Sequence, residues 1–391
     1  MTTLLQGALA DPTFFHAFSL ILSLAANRNI PNIETLTHRD ELLSRLGAEM
    51  KDLTSWTPNV STVIAMLILI GCEYRVEGAN FAGIAAHIRG VQASIKTWST
   101  QNLPVISQMQ RALFWQDLIS CLAIGTPRLL SHNHHENFLS LRDTGCLDVC
   151  VVPSGFLPVI HLWPSEFAVA LEDLNALCWF ADAKKTTKQT SSETLPQVLL
   201  MAELDDEGFP VNNSQANLES RLVDLLSESR RTLALYDPIY EACIFAAYLC
   251  TYKLSKGAWE GCFVPEICAL RVIRYVAESM FSPRPNESPG LLLWLLFVGG
   301  GLSERGDIRA RAVAVAQSVC GVFFEGLYRN WVLLKRELKS FIWSEYAMER
   351  NFIQVWEELN SAIHKASGAL VPRVEVPSSS TESGRLGFLV P

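Results

Sequence analysis

The chain has 391 residues, 40 of them acidic and 32 basic, for a formal net charge of −8. Hydrophobic residues make up 49% and charged ones 18%, enough apolar material for a sizeable core and too much for a mainly disordered chain. With a pI of about 5.6, the surface is not built to hold phosphate backbones by bulk electrostatics.

Apolar residues recur at helical spacing along most of the chain, and proline punctuates the starts. Proline suits a first helical turn because its missing N–H would be unpaired there anyway. Thr57-Pro58, Leu103-Pro104, Trp163-Pro164, Asp237-Pro238 and Ser288-Pro289 each precede a helical pattern, and Ser303-Glu304 marks a further start. These patterns predict helices over 12–27, 37–53, 58–76, 80–98, 104–125, 164–182, 215–235, 238–256, 262–281, 289–299, 304–325, 328–341 and 345–361. Asp237-Pro238 is the clearest start, an N-cap acid followed by proline at the first helical position.

The stretch 146–160 is the one plausible extended piece, and its Pro and Gly predict a loop instead. The fold class is therefore all-α. The two most apolar runs, 63–72 and 291–302, are shorter than the roughly 20 residues a membrane crossing requires and read as buried core helices. Residues 184–214 are polar and Ser/Thr-rich, which predicts a flexible insertion. Residues 366–391 are Pro/Ser-rich, which predicts a disordered tail. The expected organisation is one helical domain over 1–365, interrupted by that insertion and followed by that tail.

Ten cysteines occur, with no Cys-x-x-Cys pair, and Met1 is followed by no basic n-region or cleavage site. The expected state of these thiols is reduced, buried and structural.

The helices expected at 80–98 and 104–125 each carry a polar residue within an apolar face. At 100° per residue, Phe81, Ile84, Ile88, Val91, Ile95 and Trp98 surround His87. Ile106, Met109, Leu113 and Ile124 surround Asp117. Burial disfavours the charged imidazole, so His87 is expected to be neutral. A buried carboxylate is costly without a partner, and Arg111, Arg128, His87 and backbone N–H groups are the candidates for Asp117. Such residues can line a pocket or lock two helices in register. The reading adopted for His87, Arg111 and Asp117 is a buried polar contact of the second, structural kind.

At these residues the chain resembles the regulatory middle homology domain of fungal Zn2Cys6 transcription factors. DPTFFHAFSLILSLAA (11–26) is similar to that domain's opening helix. VIAMLILIGCEYRVEG followed by AAHIRGVQASI resembles its helix pair with a His and a Gly. RALFWQDLISCLAIGTPRLL resembles its Arg–aromatic–Asp helix. LLLWLLFVGGGLSERGDIRARAVAVA resembles the late apolar helix and its successor, and ELKSFIWSEYAMERNFIQVWEEL the closing helices. The resemblance implies an all-helical domain that regulates transcription through effector sensing, dimerisation or contacts with other factors. Members of the family carry six cysteines in a short N-terminal run that bind two zinc ions and present a helix to DNA. This chain has no such run, so its contact with DNA is expected to be indirect.

Other constellations have simpler readings. Ser131–Glu136 offers three imidazoles and a carboxylate, but within one loop, where a solvated polar segment is expected. Asp205-Asp206-Glu207 is similar to the acidic motifs of helical terpene cyclases, but it falls in the expected insertion. Gly299-Gly300-Gly301 reads as a turn at a helix end, and no Walker A, GxGxxG, GxSxG or HExxH pattern occurs. The expected function is that of a non-enzymatic, nuclear transcriptional regulator, possessing no cofactor or metal and serving a metabolic or secondary-metabolite gene set. Its expected partners are other transcription factors or co-regulators, a second copy, or a small-molecule effector, with no membrane. The alternatives are an all-α enzyme with a buried cavity, such as a terpenoid cyclase, and a helical scaffold.

Overall fold

The architecture follows from where backbone donors at helix starts find acceptors. In a computed structural model of the chain, residues 10–27, 29–49, 59–76, 81–98, 105–131, 149–189, 214–232, 237–254, 263–280, 289–323, 326 and 329–369 are described. Thirteen α-helices are present among them and no strand, so the molecule is all-α as expected.

The first three helices are α1 (Pro12–Ala26), α2 (Ile33–Glu49) and α3 (Val60–Glu73). Asp11 caps α1, its Oδ1 accepting from the N–H groups of Thr13 and Phe14 at 2.9 and 3.2 Å. Helix α2 begins four residues before the position expected from its apolar pattern. Asn32 is the reason, because its Oδ1 accepts from Thr35 N at 2.8 Å and starts the helix there. Asn59 caps α3 through Thr62 N at 2.7 Å.

Next come α4 (Phe81–Trp98), α5 (Val105–Ile124) and α6 (Ser165–Gln189). Between α5 and α6, the expected loop is irregular over its described part, with two short 3₁₀ turns at Ser154–Phe156 and Ile160–Leu162. Helix α6 continues to Gln189, so the first residues of the expected insertion are helical; residues 190–213 lie outside the described residues.

The second half contains α7 (Ser214–Arg231), α8 (Pro238–Leu254), α9 (Val264–Ser279), α10 (Pro289–Gly301), α11 (Gly306–Phe323), α12 (Trp331–Leu338) and α13 (Glu349–Ala369). Asp237 caps α8 through Ile239 N at 2.9 Å, with Pro238 in the first position as the sequence predicts. Helix α13 starts later than expected and runs to Ala369. Asp182 of α6 accounts for the late start: its carboxylate accepts from Ser344 Oγ at 2.6 Å and from the N–H groups of Glu345 and Tyr346 at 2.9 Å, holding 344–347 as a turn. The remainder of the expected tail, 370–391, lies outside the described residues.

Helices pack on one another in pairs, α1 on α2 and α3, α4 on α3 and α5, α8 on α9, and α10 on α11 and α13. Helices α8 and α10 lie inside, with residues 240–251 and 290–301 buried throughout, and α10 is apolar all round. Gly299–Gly301 are therefore not the expected turn. They are the last residues of α10, and a Cβ on Gly300 would stand 2.8 Å from Ala312 Cβ of α11. No helix among the described residues is long and apolar enough to cross a membrane.

An aromatic cluster ties the 3₁₀ segment to the C-terminal helices. Phe156, Trp294 and Phe341 have ring centroids 5.2–5.7 Å apart, and Trp294 Nε1 donates to Ile342 O at 3.0 Å. Gly155 lies directly against Phe341, where a Cβ would meet ring carbons at 2.6–2.8 Å. Phe341 is locked between two other rings and has little room to retreat. Gly155→Ala is expected to cost about 1–3 kcal/mol by overpacking. Gly47→Ala, on α2 with nothing within 4 Å of the new Cβ, is expected to stabilise by about 0.5–1 kcal/mol. Urea melts of the two variants, which should move in opposite directions, check both.

Candidate functional site

The most developed polar arrangement centres on Asp117, in the middle of α5. Its carboxylate is 1% exposed and turns toward the loop that follows the helix. Asp117 Oδ2 accepts from Leu130 N at 2.9 Å, and Leu129 N lies 3.1 and 3.2 Å from the two carboxylate oxygens. Arg128 Nε stands 3.5 Å from Oδ2. Burial raises the Asp117 pKa above the usual carboxylate value, opposed by the Leu130 and Leu129 N–H groups and by Arg128.

Arg128 is itself 4% exposed and carries the contact onward to α7. Its Nη1 reaches Asp224 Oδ1 at 2.5 Å, Ser220 O at 3.1 Å and Ser220 Oγ at 3.2 Å. Its backbone N–H donates to Ser227 Oγ at 3.0 Å, and its guanidinium lies over the Phe114 ring at 4.8 Å. One arginine thus joins the end of α5, its loop and the middle of α7.

A second buried group continues across α7, α8 and α9. Arg230 Nη1 donates to Cys121 O of α5 at 3.0 Å, and its Nε stands 3.4 Å from Glu241 Oε2 of α8. Tyr275 of α9 donates its hydroxyl to the same Glu241 oxygen at 2.9 Å. Arg231 Nη2 closes the set on Arg128 O at 2.6 Å. Asp117 and Asp224 stand beside Arg128, and Glu241 beside Arg230.

Of the three residues expected in one contact, Asp117 is at the centre of this arrangement. Its partner is Arg128, one of the candidates read from the sequence. His87 is half-buried in the field of Glu73 and Arg39 instead, where Arg39 Nη2 and Glu73 Oε1 pair at 2.6 Å. Burial lowers the His87 pKa, Glu73 raises it and Arg39 lowers it, and the ring is neutral at pH 7 as expected. Arg111 precedes Asp117 by six residues and lies about 120° round the helix from it. Ser220, Asp224, Ser227, Arg230, Glu241 and Tyr275 were not foreseen. The first four of these lie on α7, which reads as polar, yet residues 216–220 and 225–227 are buried. The repeat of small Ser220 and Ser227 on one face is the trace the sequence offered.

The arrangement ties α5, its loop, α7, α8 and α9 together, with Nη2 of Arg128 and of Arg230 buried and without a hydrogen bond. Burial raises the Cys121 thiol to about 12, and the Cys243 and Cys250 thiols upward as well, so they stay protonated and are poor nucleophiles. No group of three or more His, Cys, Asp or Glu converges as a metal site among the described residues. Ser131 is described, but His132–Glu136 and Asp205–Glu207 lie outside the described residues.

No protein-family model, curated protein or solved structure matches this chain.

Two measurements probe the buried charges. Asp117→Ala leaves two loop N–H groups and part of Arg128 without an acceptor, and is expected to lower stability by about 1–3 kcal/mol in denaturant titrations. Glu219, fully buried on α7 and hydrogen-bonded by Gln215 at 3.1 Å, has its pKa raised by burial from 4.5 to about 7. A carboxyl whose folded pKa is raised contributes stability below its unfolded pKa, and that stability is lost as pH rises through about 7. Glu219→Gln should therefore flatten the decline in melting temperature between about pH 5 and pH 8, with the largest gain over wild type at the alkaline end.

Proposed function

We propose that this chain is a transcriptional regulator whose helical domain works by binding a partner or effector, and that it carries out no chemical reaction. The observation that supports this reading is the placement of the segments resembling the fungal regulatory domain. They fall, in order, on α1, on α3 with α4, on α5, on α10 with α11, and on the α12–α13 region, and α3, α4 and α5 pack on one another. The Arg–aromatic–Asp segment is the one that carries Asp117, whose carboxylate organises the loop after α5.

The chemistry of the buried groups favours the same reading. Asp117 and Glu241 are engaged by the arginines, by Tyr275 and by backbone N–H groups, and Arg128 and Arg230 pair with carboxylates and carbonyls while Nη2 of each makes no hydrogen bond. With a net charge of −8, contact with DNA in this reading runs through a partner factor, another regulator or a second copy, in the nucleus. The pathway served is a metabolic or secondary-metabolite gene set.

A tagged full-length protein followed by imaging and chromatin immunoprecipitation, with transcript profiling of a deletion strain, tests the proposal. Nuclear signal, recovery of discrete chromatin regions and a changed transcript set are expected. A cytosolic protein whose loss leaves transcripts unchanged would overturn it.

A further inference from the structure

Two imidazoles meet on the α1–α2 hairpin, well away from the Asp117 arrangement. His16 Nδ1 of α1 and His38 Nδ1 of α2 are 3.0 Å apart, with ring centroids 5.2 Å apart and planes tilted by 50°. Phe15 sets its edge against both rings, at 5.4 Å from His16 and 6.1 Å from His38. Both histidines are only half-buried, so small solutes reach them.

We propose that His16 and His38 form a two-nitrogen chelate for a borderline divalent cation of the zinc, nickel or copper class. A metal–imidazole bond is about 2.0–2.1 Å, so two of them at roughly 90–110° place their nitrogens about 2.9–3.4 Å apart. The observed 3.0 Å separation already has that span. Nitrogen donors select zinc, copper or nickel over magnesium and calcium, which take oxygen ligands.

The frame around the pair is rigid, as a converging site requires. Glu49 of α2 accepts from Thr13 Oγ1 of α1 at 2.8 Å and from Thr62 Oγ1 of α3 at 2.7 Å. Farther along the hairpin, Ser23 Oγ and Thr35 Oγ1 are 2.7 Å apart. The ligands therefore come from two separate, braced helices rather than from one mobile loop. The charged groups facing the pair are Arg45 and Glu41, themselves joined at 2.8 Å. Burial, His38 and Arg45 lower the His16 pKa against a smaller opposing effect of Glu41, which favours its neutral ring. In the hydrogen-bonded pair one Nδ1 carries the proton, and that ring shifts it to Nε2 when both Nδ1 atoms bind a cation. With two protein ligands the remaining positions belong to water, so the ion exchanges readily and staples α1 to α2 while bound.

Zinc titration of the full-length protein by calorimetry, run beside His16→Asn/His38→Asn, tests the site. The wild type is expected to bind one zinc more than the double variant, and to show a zinc-dependent rise in melting temperature that the variant lacks. His38→Asn alone should weaken this binding at least tenfold. Wild-type protein labelled at histidine nitrogens supplies a readout that needs no variant: zinc should shift the Nδ1 resonances of two histidines together. Equal zinc stoichiometry and equal thermal shift in the wild type and the double variant would overturn the proposal, leaving an imidazole–imidazole hydrogen bond only. Nδ1 resonances that do not move with zinc would overturn it equally, even if the double variant failed to fold.

Discussion

Buried charge must be matched where it is buried, and the Asp117–Arg128 contact is where this molecule meets that constraint. Asp117 sits on the inner side of α5 because its helical neighbours Leu113, Phe114 and Cys121 are core residues. Once there, the carboxylate needs donors, and the chain supplies them by folding the loop after α5 back over it. Arg128 then has to be satisfied in turn, which draws in Asp224 and Ser220 of α7. A polar requirement at one atom thus sets the position of a loop and of a helix about 100 residues later in the chain.

The same logic is repeated at Arg230, Glu241 and Tyr275, where α7, α8 and α9 meet. Exposed ion pairs such as Arg274–Glu278 contribute little by comparison, since water and salt screen them. Desolvated pairs cost more to form and far more to break, so they act as selectors of one arrangement among many helix packings. The apolar helices α8 and α10 supply the burial that makes such pairs tolerable. Hydrophobic area alone would let the featureless α10 rotate against its neighbours; Gly300 against Ala312 and the Trp294 N–H on Ile342 O restrict that freedom.

For function, the division between interior and surface matters. The interior charges join α5, α7, α8 and α9, and the half-buried imidazoles of His16 and His38 lie at the hairpin of α1 and α2. A regulator of the proposed kind needs a stable helical body with responsive positions near its surface, and His16 with His38 has that placement.

The sequence by itself determined the all-α class, the number of helices in the described parts and most of their starts, because proline and Asp/Asn caps act within three or four residues. It also determined that His87 and Asp117 stand among apolar neighbours and that Asp117 needs a partner. Where local reasoning erred, a distant group was responsible, or a cap overlooked. Asn32 moved the start of α2, Asp182 delayed α13 from 160 residues away, and close packing made helix of Gly299–Gly301. Tertiary structure alone decided that Asp117 takes Arg128, that polar α7 lies inside, and that His16 finds His38. Each of those outcomes depends on which helix faces which, and periodicity encodes the apolar side of a helix without naming the surface that will cover it.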